Sequence, residues 1–220
     1  PVLYLLHGAY GDAFSWVRYS NIDRYAQDRG IVVVMASAEN SFYQDLRSGK
    51  KYKTFFTEEL PLFIRNVFPV SREREKTFIA GFSMGGYGAW YLALSRPELY
   101  AKAASMSGAL DIAGLYQAAA AGNNDNNPFH WEDCFGDPDK LAGSDYDLFT
   151  LYDRDVKNGC VPKLYQAVGR DDFLYPSNVY VRKLLEQKQA DLTYEEDKGG
   201  HDWNFWDQYI QHILDWMLHD

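Results

Sequence analysis

Cysteine is scarce in this sequence: Cys134 and Cys160 are the only two among 220 residues. They allow at most one disulfide and no cysteine-built metal knuckle, and a chain of this length can form its core without either. So few thiols suit a reducing compartment, and the expected location is cytoplasmic. Basic charge is short as well. Lys and Arg number 22 against 31 Asp and Glu, a formal net charge of −9. With no long Lys/Arg run to offset that balance, no nucleic-acid partner is expected. No stretch approaches the roughly 18 consecutive apolar residues of a membrane span, so no membrane partner is expected either. Internal repeats are absent. So is any His-Glu-x-x-His or comparable cluster, and the five histidines are scattered, which argues against a metal-dependent hydrolase. The chain opens on Pro1 and runs straight into Val2-Leu3-Tyr4-Leu5-Leu6; that abrupt start predicts further residues upstream.

Aromatic and apolar residues are plentiful. Hydrophobic residues make up 46% and aromatics 16%, which excludes a disordered chain. Short apolar runs recur at Val2–Leu6, Ile31–Met35, Thr77–Ala80, Ala103–Met106 and Leu164–Val168, with a weaker one at Leu192–Glu196. Runs of this kind, without strict alternation, suit strands covered on both faces. Helical periodicity lies between them, at Phe56–Phe68, Met84–Leu94, Val179–Gln187 and Phe205–Leu218. Thr57 is placed to cap the first of these, with Pro61 in its opening turn. Strand and helix alternating in this way give an α/β chain with a mostly parallel sheet and helices on both faces. We read residues 1–220 as a single domain. The segment from about Leu110 to Gly159 breaks the rhythm. Its Gly122–Pro128 stretch reads as a loop, and His130–Gly136 and Asp147–Phe149 read as short helical or turn pieces. It is too long for a bare connection and is expected to pass over one edge of the sheet.

The strongest chemical signal is Gly81-Phe82-Ser83-Met84-Gly85, between an apolar strand and a helix of small residues. Nucleophilic catalysis by serine needs a hydroxyl exposed on a sharp strand-to-helix turn, with helix amides aimed at developing negative charge. An ordinary helix cap at Ser83 does not explain flanking glycines plus Gly86 and Gly88, each of which weakens a helix or strand interior. A second turn, His7-Gly8-Ala9-Tyr10-Gly11, follows the first strand. In a doubly wound sheet both turns lie outside the strands' carboxyl ends. The amides of Ala9 and Met84 are thereby placed to meet around one oxyanion. His7, at the strand end, fits a structural role within its loop.

A serine hydroxyl needs a base. Of the histidines, His212 and His219 belong to the last helix or its end, and His130 to the polar insertion. His201 follows Lys198-Gly199-Gly200 at the last strand's carboxyl edge and precedes Asp202, the natural helix cap. The base needs an orienting carboxylate. Asp171 and Asp172 both follow the strand ending at Val168, and spacing alone leaves either open. The order serine, acid, histidine is the one expected on an α/β sheet.

Beyond this the chain resembles the esterase D family of α/β-hydrolases, especially its tributyrin-esterase-like branch of small bacterial carboxylesterases. The resemblance is carried by Leu5–Gly8, Lys76–Gly88, Ser107–Leu110, Asp172–Tyr175 and His201–Trp203. It implies an α/β-hydrolase fold whose first strands precede Pro1. It implies Ser83 as nucleophile, His201 as base, Asp172 as the acid ahead of Asp171, and oxyanion amides on Ala9 and Met84. It implies short acyl esters as substrates, with no metal or organic cofactor. Relatives in that family act on formylated glutathione or remove acetyl or feruloyl groups from plant polysaccharides, so an esterified sugar is a further candidate. Acyl transfer would use the same triad. Tyr10, Trp16 and Trp203 are the candidate substrate-binding aromatics, with Tyr43 and Trp131 also considered for the pocket walls.

Overall fold

The apolar runs become strands because helical crossovers cover both of their faces. In the computed structural model, which describes residues 1–122 and 129–219, they are β1 (Val2–Leu6), β2 (Val32–Val34), β3 (Thr77–Phe82), β4 (Lys102–Met106), β5 (Lys163–Gly169) and β6 (Leu192–Asp197). They form one sheet in the order β2-β1-β3-β4-β5-β6, with every neighbouring pair parallel. This is the α/β-hydrolase architecture. β2 is shorter than its apolar run. The preceding helix ends on Gly30 at φ 64°, and the Ile31 amide donates back to the Ala26 carbonyl at 3.1 Å, so Ile31 belongs to the helix end.

The helices are α1 (Ser15–Tyr19), α2 (Ile22–Arg29), α3 (Tyr52–Thr54), α4 (Leu60–Val67), α5 (Met84–Ser95), α6 (Ile112–Ala121), α7 (Trp131–Phe135), α8 (Leu148–Asn158), α9 (Tyr175–Gln187) and α10 (Trp203–Leu218). Alternate residues of β1 feed two cores. Leu3 and Leu5 pack with α2 and α10, while Val2, Tyr4 and Leu6 pack with α4, α5 and the segment after β4. None of these helices is long and apolar enough to cross a membrane.

Two local expectations are corrected. Thr57 is not a cap: it lies inside a π-helical turn, Phe55–Glu59, joining α3 to α4, and its hydroxyl donates to the Lys53 carbonyl at 2.9 Å. Pro61 follows directly; its missing N–H and its ring favour a widened turn over a regular helix there. Asp147–Phe149 is not an isolated piece but the start of α8, an 11-residue helix capped by the Asp147 carboxylate and closed by Gly159 at φ 67°. Its inward stripe includes the buried Asp155, paired with Arg154, which interrupts the apolar pattern. The Gly122–Pro128 loop falls, beyond Gly122, outside the described residues. The segment after β4 packs on α5, where the Tyr87 hydroxyl donates to the Tyr146 carbonyl at 2.9 Å.

Candidate active site

The chain runs from β1 outward to β2, then crosses back to β3 on the other side of β1. That reversal opens a crevice at the strands' carboxyl ends. Leu6 is paired in register with Gly81, so the His7–Gly11 loop and the turn at Ser83 emerge side by side. Ser83 sits at φ 55° and ψ −120°, a conformation unfavourable for an L-residue, at the start of α5. A methyl placed on Gly85 would lie 2.5 Å from the His7 carbonyl oxygen and 2.8 Å from that of Leu6. Glycine is what lets α5 begin directly against the end of β1. Gly85→Ala is expected to cost about 2–3 kcal/mol and most turnover, measured by thermal unfolding alongside ester hydrolysis.

His201 arrives on the loop after β6. That loop docks against the end of β5, where the Asp171 amide donates to the Gly199 carbonyl at 2.9 Å. The His201 Nε2 is 2.9 Å from the Ser83 Oγ, and its Nδ1 is 2.9 Å from Asp172 Oδ2. Phe173 and Trp206 pack on its imidazole, with ring centroids at 4.5 and 5.0 Å. Asp172 is buried, whereas Asp171 points to solvent. Burial pushes the Asp172 carboxyl up, but hydrogen bonding, from His201 first and from the Leu174 amide, outweighs it and holds the group below its ordinary value. It therefore stands ionised against the imidazole.

The remaining histidines lie elsewhere. His7 is buried, with Nδ1 2.7 Å from the Gly8 carbonyl and Nε2 accepting the Ala38 amide at 2.9 Å. Burial pushes its imidazole down, so it is a neutral brace of the loop, as its position suggested. His212 meets Glu195, and His130 opens α7 on the surface. Cys134 is no rival nucleophile, because burial pushes its thiol up to about 12. Among the described residues, no group of three or more His, Cys, Asp and Glu side chains is placed to hold a metal ion.

A cavity of about 380 Å³ opens over Ser83 and His201. Ala9, Tyr10 and Trp203 line it. Met84 is buried at the start of α5 next to Ser83. Trp16 stays behind the wall: it is 1% exposed, donates to the Leu6 carbonyl, and supports Trp203 edge-on at 5.1 Å. Tyr43 and Trp131 are buried in the opposite core. Sequence reasoning missed Phe173, Arg18, Tyr19 and Phe129, all of which face the cavity. For Phe173 the available signal was adjacency: when Asp172 turns inward, its neighbour turns out into the mouth, where it is 73% exposed. For the others no local pattern pointed there.

An α/β-hydrolase sheet carrying a hydrogen-bonded serine, histidine and aspartate at its carboxyl edge defines a serine hydrolase, and Ser83, His201 and Asp172 form its triad. The chain belongs to the esterase family, whose model matches residues 1–217. It is 40% identical to an acetyl esterase of Caldicellulosiruptor saccharolyticus, over 98% of this chain and 82% of that protein. Among solved structures it is similar to FphF of Staphylococcus aureus, a fluorophosphonate-binding serine hydrolase. That match has a TM-score of 0.90 and 32% identity and covers 100% of this chain and 84% of the other. It is also similar to an S-formylglutathione hydrolase of Staphylococcus aureus, with a TM-score of 0.86, 32% identity and 99% and 84% coverage.

Proposed function

We propose that the protein is a carboxylesterase of the esterase D family's tributyrin-esterase-like branch, removing short acyl groups, acetyl foremost, from an esterified sugar. The observation that carries this reading is the cavity above the triad, small and walled by Tyr10, Phe129, Phe173, Tyr19 and Trp203. It has room for a short acyl chain beside an alcohol, and aromatic faces suit a ring that is apolar on its faces and polar at its edge. The likeness to an acetyl esterase supports the same substrate class. We take residues 1–220 as one catalytic domain, with the 110–159 excursion contributing Phe129 to the wall.

In this reading Ser83 Oγ attacks the ester carbonyl carbon while His201 Nε2, 2.9 Å away, takes its proton. Asp172 holds Nδ1 and stabilises the imidazolium. The amides of Ala9 and Met84 hold the oxyanion, one from each of the two adjoining turns. His201 then protonates the leaving alcohol, and water activated by the same ring releases the acid from Ser83. Tyr10 and Trp203 contact substrate, and Trp16 acts through Trp203.

An S-formylglutathione hydrolase activity is the second reading, favoured by the second of those structures. Charge weighs against it. Glutathione carries carboxylates, and the one Lys or Arg among the described residues lining the cavity, Arg18, is already paired with Asp12 at 2.8 Å. That pair instead offers a donor and an acceptor to neighbouring hydroxyls. Hydrolysis of nitrophenyl esters from acetate to octanoate, acetylated and feruloylated sugars and S-formylglutathione tests the choice. We expect a steep fall beyond butyrate and the best kcat/KM on an acetylated sugar; a best kcat/KM on S-formylglutathione overturns the reading. Free acid is the expected product even with added alcohol, and ester products would instead identify an acyltransferase. Arg18→Gln is expected to raise KM for the sugar ester about tenfold and to leave nitrophenyl acetate unchanged.

A further inference from the structure

The loop after β2 grips the loop after β1 along its length. The Ala38 amide donates to His7 Nε2 at 2.9 Å, and the Tyr43 hydroxyl donates to the His7 carbonyl at 2.9 Å. Further on, the Tyr10 amide donates to Asn40 Oδ1 at 2.7 Å, and the Ala13 amide to Ser37 Oγ at 2.9 Å. The gripping loop is itself held in an unusual shape, with Glu39, Phe42 and Tyr43 at φ 49°, 51° and 60°. Packing anchors its far side. Phe42 stacks on Trp131 at 4.8 Å, and Tyr43 lies against Gly88 of α5, where a methyl would strike its ring. The direction of the Ala9 amide follows from this frame. The Gly8 carbonyl meets His7 Nδ1 at 2.7 Å and the Gly11 amide at 3.1 Å. The Gly8–Ala9 peptide is trans, so its N–H points opposite to that carbonyl, away from the loop's own bonds. Among the described residues no acceptor takes it. Tyr10, next along, takes φ 62°, unfavourable for an L-residue. Its ring is 71% exposed and touches Phe129 at 5.7 Å. With so little side-chain burial, the bond to Asn40 is the main restraint on this turn.

We propose that Asn40 is a positioning residue for the oxyanion site: by holding the Tyr10 amide it fixes the turn at Ala9 and Tyr10, and so the aim of the Ala9 N–H. Asn40 is not among the described residues that line the cavity over Ser83, so it acts through the loop. A donor aimed where negative charge develops favours the tetrahedral intermediate over the bound ester. Loosening the turn therefore slows the chemical step and leaves ester binding alone. The proposal rests on the reading that the Ala9 amide is one of the oxyanion pair.

Asn40→Ala and Asn40→Asp test it with nitrophenyl acetate and two inhibitors. One inhibitor is a short trifluoromethyl ketone, whose carbonyl carbon bonds Ser83 Oγ as the serine proton passes to His201 and the carbonyl oxygen becomes an oxyanion. The other is the matching trifluoro alcohol, which forms no such adduct. For Asn40→Ala we expect kcat about tenfold lower with KM unchanged. Affinity for the ketone is expected to fall about tenfold as well, and affinity for the alcohol to stay the same. Asn40→Asp keeps an acceptor for the Tyr10 amide and is expected to lie within about threefold of wild type. A general loosening of the site would instead weaken both inhibitors together. That result, a folded Asn40→Ala with wild-type kcat and ketone affinity, or an Asn40→Asp as slow as Asn40→Ala, overturns the proposal. Amide hydrogen exchange followed by NMR needs no variant to fold. In wild type the Tyr10 amide is expected to exchange at least about tenfold more slowly than a free amide, and exchange at the free rate overturns the proposal. Exchange also separates the two ways of failing. If it speeds up in Asn40→Ala while kcat holds, Ala9 is not an oxyanion donor. If neither changes, only the role of Asn40 fails.

Discussion

Ser83→Ala is expected to lower kcat by about 10⁵–10⁶ and to leave the fold intact. The hydroxyl bonds His201, which itself reaches the solvent-open cavity, so its removal strands no deeply buried polar group. The backbone around it is secured independently by the Ser83 amide to the Met106 carbonyl at 2.9 Å. Ser83→Gly is expected to be equally inactive and about 1 kcal/mol more stable than Ser83→Ala, because φ 55° and ψ −120° suit glycine. Hydrolysis of nitrophenyl acetate and thermal unfolding of the two variants separate activity from stability. Near-normal hydrolysis by Ser83→Ala would sink the mechanism. Equal stability of the two variants would show that the turn at Ser83 stores no strain.

Asp172→Asn is expected to reduce kcat by about 10⁴. The carboxylate receives the Leu174 amide at 2.8 Å on Oδ1 and the His201 Nδ1 proton, with Nδ1 2.9 Å from Oδ2. An asparagine has one oxygen to meet these donors, and its NH₂ must face one of them. Turned toward His201, the NH₂ selects the tautomer with its proton on Nε2, which then faces Ser83 and cannot take its proton. Asp171→Asn is expected to retain turnover, since that side chain points to solvent. A larger loss in Asp171→Asn than in Asp172→Asn would reverse the assignment. A pH signature accompanies it. Because Asp172 is held below its ordinary value of 3.8, the stability it contributes is complete above that pH and is lost as pH falls through the lower folded value. The stability advantage of wild type over Asp172→Asn, measured by denaturant unfolding across pH, is therefore expected to shrink in acid.

Much of this molecule was legible from local pattern. The six strands followed from apolar runs, and the turn at Ser83 from glycines whose role is steric and short-range. His201 followed from its place on a glycine loop after the last strand. Helix α8 was less legible because the buried Asp155 interrupts its inward stripe, and the π-helical turn before Pro61 because periodicity assumes a regular helix.

Two kinds of fact have different physical origins here. The order of strands and helices, and the set of residues delivered to the sheet's carboxyl edge, follow from side-chain periodicity and turn chemistry, which act over a few residues and are written along the chain. The choice between Asp171 and Asp172, the withdrawal of Trp16 from the cavity, the arrival of Arg18 and Phe173 at its mouth, and the link from Trp206 to Ser107 do not. Each depends on packing between distant segments: His201 lies 118 positions from Ser83, and Trp206 lies 99 from Ser107. Which face of a loop residue turns inward is decided by the partners that meet it there, and only the assembled sheet and helices supply them.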